Sequence, residues 1–283
     1  NRLPEQITYI GDGCFQGAVL TELDLTNCTK LTKINQYGFA QSSLRIGLTL
    51  PQSLEEMEEM AFNASAIYSI DIPEKCTKIG VGAFARSHLI GINLPKSLKV
   101  IPKSMFSECE LLTGERIIIK DGSELQTIEE EAFYKCENLM TTRFLSGLKN
   151  LKSIGDRAFA SCHAFAKQGT NELKNFYGDA QLISGLQEVI LPNCVQTLGT
   201  GVFANDYALQ TLDLGSGVVH IQDQAFYNYV VGKNGSRLEK VIVSADLDSI
   251  GEEAFANQCR LHTIGYHDDG SVKVEEGVAQ FKS

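Results

Sequence analysis

Apolar residues along the chain fall into two alternating patterns. The first is a pair separated by one residue: Leu23/Leu25, Leu48/Leu50, Ile70/Ile72, Ile92/Leu94, Ile117/Ile119, Val189/Leu191, Leu212/Leu214, Val241/Val243 and Ile264/Tyr266. A period of two places both members on one side of an extended segment, so each pair predicts a short strand with its apolar face inward. Prolines Pro51, Pro73, Pro95 and Pro192 directly follow four of these pairs. Proline has no N–H for a ladder, so each marks the end of a strand and the start of a turn. The second pattern is an apolar residue five positions before a phenylalanine, clearest as I-G-x-x-A-F at Ile79–Phe84, Ile154–Phe159 and Ile250–Phe255. Weaker copies end at Phe15, Phe39, Phe62, Phe106, Phe133, Phe203 and Phe226. That spacing predicts one short helical turn laid on the core. Acidic residues such as Glu58, Glu129, Asp156 and Glu252 crowd its start, where free N–H groups favour carboxylates.

The two patterns alternate through ten copies, and self-similarity at a near-constant period is the mark of a solenoid. No unit buries its apolar side alone; stacked units share one continuous core. The segment Leu20-x-x-Leu23-x-Leu25-x-x-Cys28-x-x-Leu31-x-x-Ile34 fits the leucine-rich repeat template, and Leu139/Thr142/Phe144 is a degenerate copy of the strand half. The expected fold is therefore an α/β leucine-rich repeat solenoid. It has about ten repeats of 22–29 residues, a parallel sheet on the concave face and short helices or irregular turns opposite.

Leu94-Pro95-Lys96-Ser97-Leu98-Lys99-Val100-Ile101 and Ile154 through Cys162 together resemble the repeat of BspA-like leucine-rich repeat proteins. The resemblance runs from about residue 7 to residue 266. It implies secretion or display on a bacterial surface, and adhesion to host matrix proteins or to other cells.

Departures from the repeat mark candidate functional insertions. Phe159 and Phe203 are 44 residues apart, twice the usual spacing. The half after Phe165 lacks the apolar-x4-Phe signature, which points to an insertion at about 166–185 rather than an extra turn. Its Phe176 and Tyr177 are candidate contacts, since inserted loops in repeat proteins often line the binding face. A smaller loop surrounds Gly232–Ser236. The solenoid is expected to occupy 1–268. Residues 269–283 form a cap or begin a further segment, with Val272–Glu275 as one more strand.

Composition narrows the function. A formal net charge of -10 lacks the basic footprint of a nucleic-acid binder and disfavours anionic membranes. No apolar run is long enough to span a bilayer. The chain begins at Asn1 without a leader pattern, as a trimmed or mature form would. Of eight cysteines, Cys109, Cys136 and Cys162 each lie three residues after a repeat phenylalanine, a phase that reads as packing rather than as a disulfide framework. Cys162 and His163 are neighbours, yet adjacent residues seldom face each other. No assembled nucleophile, phosphate loop, cofactor motif or metal-ligand spacing is present. His262, His267, Asp268 and Asp269 match no site geometry.

What remains is a face. The residues between or beside the inward strand positions form an outward column: Asp24, Thr49, Asp71, Asn93, Arg116, Ile118, Arg143, Ile190, Asp213 and Ile242. The expected function is a non-enzymatic, adhesin-like module at the cell surface, engaging a host matrix or neighbour-cell protein. The alternatives are a spacer presenting another domain, or a carbohydrate-binding module. The latter wants exposed aromatic platforms, and the chain has no Trp.

Overall fold

The computed structural model describes residues 2–165, 182–229, 236–268 and 271–276. The chain winds as a right-through stack of about ten turns around one core. Each turn contributes the same set of side chains; in the second these are Leu23, Leu25, Cys28, Leu31, Ile34, Phe39 and Leu44, all 3% exposed or less. The ten phenylalanines of the repeat stack ring on ring from Phe15 to Phe255, with centroids 4.9–6.1 Å apart.

Two parallel faces flank this core, where the sequence led us to expect one. Face A holds the paired apolar positions, as Glu22–Asp24 with Gly47–Thr49; then Ser69–Asp71, Gly91–Leu94 and Ile117–Ile119; then Glu188–Ile190, Thr211–Asp213, Lys240–Ser244 and Thr263–Asp268. Face B is built from ten two-residue strands, from Tyr9–Ile10 to Ser249–Ile250, each ending on the apolar residue that opens the Phe motif. The added strand Ser271–Glu276 closes face A by pairing antiparallel with Thr263–Asp268.

The predicted helical turn is not a helix. Among the described residues the only helical elements are two three-residue 3-10 segments, Gly114–Arg116 and Arg143–Leu145. In the Phe motif, the residues two before and two after the phenylalanine sit at positive φ, except Asn228 after Phe226. Glu131 and Lys135 flank Phe133 at 56° and 55°, and Arg157 and Ser161 flank Phe159 at 52° and 61°. A left-handed residue at every fourth position ends the i to i−4 ladder before it closes a second ring. The N–H groups are instead divided. Ala61 N–H returns to Glu58 O inside its own turn, while Phe62 N–H crosses to Ala83 O of the next turn at 2.7 Å. Each left-handed non-glycine residue costs about 1–2 kcal/mol, and the hydrogen bonds between turns, together with the buried ring, offset it. The acidic residues do bind backbone N–H groups, but those of a neighbouring turn. Glu58 accepts from Gln36 N–H (3.0 Å), Glu129 from Lys103 (2.8 Å) and Asp223 from Glu252 (2.7 Å).

The cysteine phase has a structural reason. Cys109, Cys136 and Cys162 are buried, and their thiols donate to the carbonyls of Phe84, Phe106 and Phe133 in the preceding turns at 3.0, 3.2 and 3.1 Å. Burial pushes the Cys109 thiol up to about 12 and those of Cys136 and Cys162 well above the usual thiol range. The same phase holds Ser42 and Ser65, whose hydroxyls are buried without a partner among the described residues. Not every cysteine is internal: Cys14 and Cys259 are exposed.

Candidate functional site

The stack brings most of the outward column into register. Asp24 pairs with Thr49; Asp71, Asn93 and Ile118 are consecutive; so are Ile190, Asp213 and Ile242. Many of its polar groups are already engaged within the chain. Asp24 is bound by Arg2 and Thr26, and the Thr26 hydroxyl leads the interactions that hold its carboxyl below the usual range. Asn93 donates to Asp71 at 2.5 Å. His267 reaches across to Asp213 at 2.7 Å, while His262 bonds Thr263, so these two histidines do not converge on a common point. Ile242 was expected on the surface, but it is only 9% exposed on the stretch of face A that His267 crosses to meet Asp213.

Arg143 also departs from expectation, and its neighbour explains why. Thr142 is fully buried, and its hydroxyl accepts from Ile190 N–H at 2.9 Å and donates to Ile190 O at 3.2 Å. A side chain thus makes the ladder bonds that a strand would make. The backbone keeps one bridge, Thr141 with Glu188, and then turns into the 3-10 segment Arg143–Leu145, so no regular strand of face A stands between Ile117–Ile119 and Glu188–Ile190. Arg143 folds onto Glu188 as a bidentate pair, with Nε and Nη2 at 2.5 and 2.8 Å. The guanidinium holds the Glu188 carboxyl below its ordinary value. The interruption opens a cleft of about 650 Å³ lined by Glu115, Met140, Arg143, Phe144, Gln187 and Gln210, among others. Arg116 and Ile118 stand exposed beside it. Arg116 has no ion-pair partner among the described residues, and Ile118 is 46% exposed.

The insertion leaves the solenoid at this level. Phe159 stacks directly on Phe203 at 5.4 Å and Ile154 pairs with Leu198, so the 44-residue interval is one turn plus an insertion. His163–Phe165 and Leu182–Gly185 run antiparallel as its two legs. Phe176 and Tyr177 lie outside the described residues.

A buried carboxyl sits under these legs, and its phase was readable though its role was not. Asp206 takes the position three after Phe203 that is Ser or Cys in six earlier turns. It is 3% exposed, Oδ1 accepts from Cys162 N–H at 2.7 Å, and Oδ2 has no partner among the described residues. Burial raises its pKa well above the carboxylate range. His163, which packs edge-on to Tyr207 at 4.7 Å, is instead lowered to about 4 by burial. The signs are opposite. As pH rises from about 4 towards the folded value, native Asp206 holds its proton while the unfolded chain releases it, so its contribution to stability falls. His163 contributes stability above its unfolded pKa of about 6.5, and this is lost as pH falls towards 4. Subtracting an Asp206→Asn curve isolates the first effect. In urea denaturation at a series of pH values from 4 to 7, Asp206→Asn gains on the wild type by up to about 1.4 kcal/mol per pH unit. A pH-independent difference would contradict the buried, protonated carboxyl.

Comparison with known proteins agrees with the repeat. The family model described as BspA type leucine rich repeat region (6 copies) matches residues 2–113, 115–233 and 181–275. No curated protein sequence matches. Among solved structures, a leucine-rich repeat protein from Eubacterium ventriosum is 18% identical, with a TM-score of 0.52 over 93% of this chain and 71% of its own. One from Bacteroides ovatus is 22% identical, with a TM-score of 0.38 over 93% of this chain and 85% of its own. A leucine rich cell surface protein from Faecalibacterium prausnitzii is 20% identical, with a TM-score of 0.39 over 90% and 65%. The first superposition supports the fold alone. Ten phased turns, a phenylalanine stack and a family model covering nearly the whole length lead to one conclusion: this chain belongs to the BspA-type leucine-rich repeat family.

Proposed function

We propose that the chain is a non-enzymatic protein-binding module, displayed outside the cell, that engages a host matrix or neighbour-cell protein through face A. The observation that carries this reading is the middle of that face. Most polar groups of the outward column are engaged within the chain, while Arg116 and Ile118 are exposed beside an open cleft, next to the legs of the insertion. An uncommitted cation and an exposed aliphatic side chain at a central, rigid position are what a protein interface uses as anchors. In this reading residues 1–268 are the binding solenoid, 269–283 its cap, and the insertion flanks the site. A spacer would have a featureless face, and a glycan site would want exposed aromatic platforms, whereas the aromatic that lines this cleft, Phe144, is half-buried.

Solution binding to immobilised extracellular-matrix proteins tests it. The wild type binds at least one of them saturably. Arg116→Glu with Ile118→Asp weakens that binding tenfold or more, and Lys78→Glu on face B leaves it unchanged. Folded protein that binds nothing on the panel would overturn the reading in favour of a spacer.

A further inference from the structure

One side of face A carries a second feature, confined to the N-terminal turns. Just before the strands of three successive turns stand Ile46, Tyr68 and Ile90, with Ile90 N–H bonded to Tyr68 O. Ile46 is 73% exposed and Tyr68 38%. The equivalent positions in later turns are Glu115, Met140, Gln187, Gln210, Glu239 and His262, so three apolar residues in succession occur in the N-terminal turns alone. Beside the ridge, the first outward position of each strand is Gly47, Ser69 and Gly91. A Cβ on Gly47 would meet nothing within 4 Å, so the surface there is open. Ridge and small residues together make a trough that is open over Gly47 and Ser69 and ends at Gly91, which is buried, roughly 10 Å long at the strand spacing of about 4.8 Å.

The ends of this trough are charged and opposite in sign, with exposed Glu22 in register with Gly47 at the N-terminal end. Arg116 closes one end: its Cβ lies 2.7 Å from where a Gly91 Cβ would be. Arg45 flanks the ridge, directly before Ile46 in the chain. Both are exposed and neither has an ion-pair partner among the described residues. The one carboxylate on the opposite wall, Asp71, is held by Asn93. Glu115 lines the neighbouring cleft instead.

We propose that this trough docks an apolar segment of a partner protein whose carboxylate meets Arg116. This rests on the reading of face A as a protein-binding surface and specifies the chemistry of what it takes. Apolar side chains of the segment cover Ile46, Tyr68 and Ile90, removing an exposed ridge that single surface residues would not form. The small residues let its backbone approach, and an acidic group neutralises a guanidinium that the chain leaves unpaired.

The test uses a library of random 12-residue peptides displayed on phage and selected against the whole chain. Apolar peptides with Asp or Glu are enriched. Synthetic versions bind at least tenfold more weakly to Tyr68→Glu and to Arg116→Glu, both exposed positions that leave the fold intact by circular dichroism. A fresh selection on Arg116→Glu exchanges the acidic residue for Lys or Arg. Enriched peptides that ignore Tyr68→Glu and Arg116→Glu would overturn the inference, as would selection of basic peptides by the wild type. A failed selection beside saturable matrix-protein binding would also overturn it, leaving the protein-binding reading standing. If neither probe binds, both fall together.

Discussion

Replacing Phe133 by alanine destabilises the solenoid by about 3–5 kcal/mol, the cost of emptying a large aromatic site in a packed core. The residue is fully buried between Phe106 at 5.1 Å and Phe159 at 4.9 Å, with Phe144 against it at 5.6 Å. Its backbone is just as engaged. Phe133 N–H crosses to Ala158 O at 2.7 Å, and its carbonyl accepts the Cys162 thiol. Neighbouring turns therefore cannot close on the void without breaking bonds between turns. Phe15 provides the contrast, since it opens the stack, stacks on Phe39 alone and is only partly buried. Phe15→Ala costs about 1–2 kcal/mol, in line with partial burial. Urea denaturation followed by circular dichroism measures both. Hydrogen exchange localises the first: in Phe133→Ala, protection falls at Phe106 and Phe159 before it falls at the ends, because each turn is stabilised by its neighbours. Equal effects at the two positions would mean that the phenylalanine stack is not the continuous core described above.

The same comparison shows what was readable in the chain. The phase of Phe133 and of its nine counterparts was visible because a buried ring in every turn leaves the same residue at the same interval. The backbone around it was not. Positive φ at Glu131, Lys135, Arg157 and Ser161 falls on residues with no preference for it, and an apolar residue five before a phenylalanine reads as a helical turn. Gly82 and Gly201 occupy the same phase and were the available hint. Face B was missed for another reason. A strand such as Thr127–Ile128 is too short to alternate, so its one inward residue was absorbed into the helical motif. On face A the outward column followed from a period of two wherever the strand existed. It failed at Arg143, where the Thr142 hydroxyl replaces backbone hydrogen bonds, and at Ile242, which later residues enclose. The trough was hidden because it depends on which side chains in adjacent turns are small, a relation between residues 22 to 25 apart.

Gly199→Ala is the smallest change with a large expected effect, and it tests how closely the turns approach. A Cβ at this position would sit 2.3 Å from Asp156 N, 2.4 Å from Asp156 Oδ1 and 2.4 Å from the Gly155 carbonyl carbon. Two of the three are backbone atoms. They are held by Gly199 N–H to Ile154 O at 2.7 Å and by the Asp156 carboxylate on Thr200 N–H at 2.8 Å. No rotamer relieves such a contact, so adjacent turns must separate. The cost is about 3 kcal/mol, the upper end for overpacking. Gly155 and Gly251 meet the preceding turn in the same way. Gly11 occupies the equivalent place in the first turn, where a Cβ would meet only the Tyr9 ring at 3.8 Å. Gly11→Ala is therefore expected to be neutral within about 0.5 kcal/mol. Denaturation midpoints for the two variants decide the matter: a large loss at Gly199 with none at Gly11 identifies the glycine of the I-G motif as the contact that sets the distance between turns. Equal losses would trace the glycine to some property of its own turn rather than to stacking.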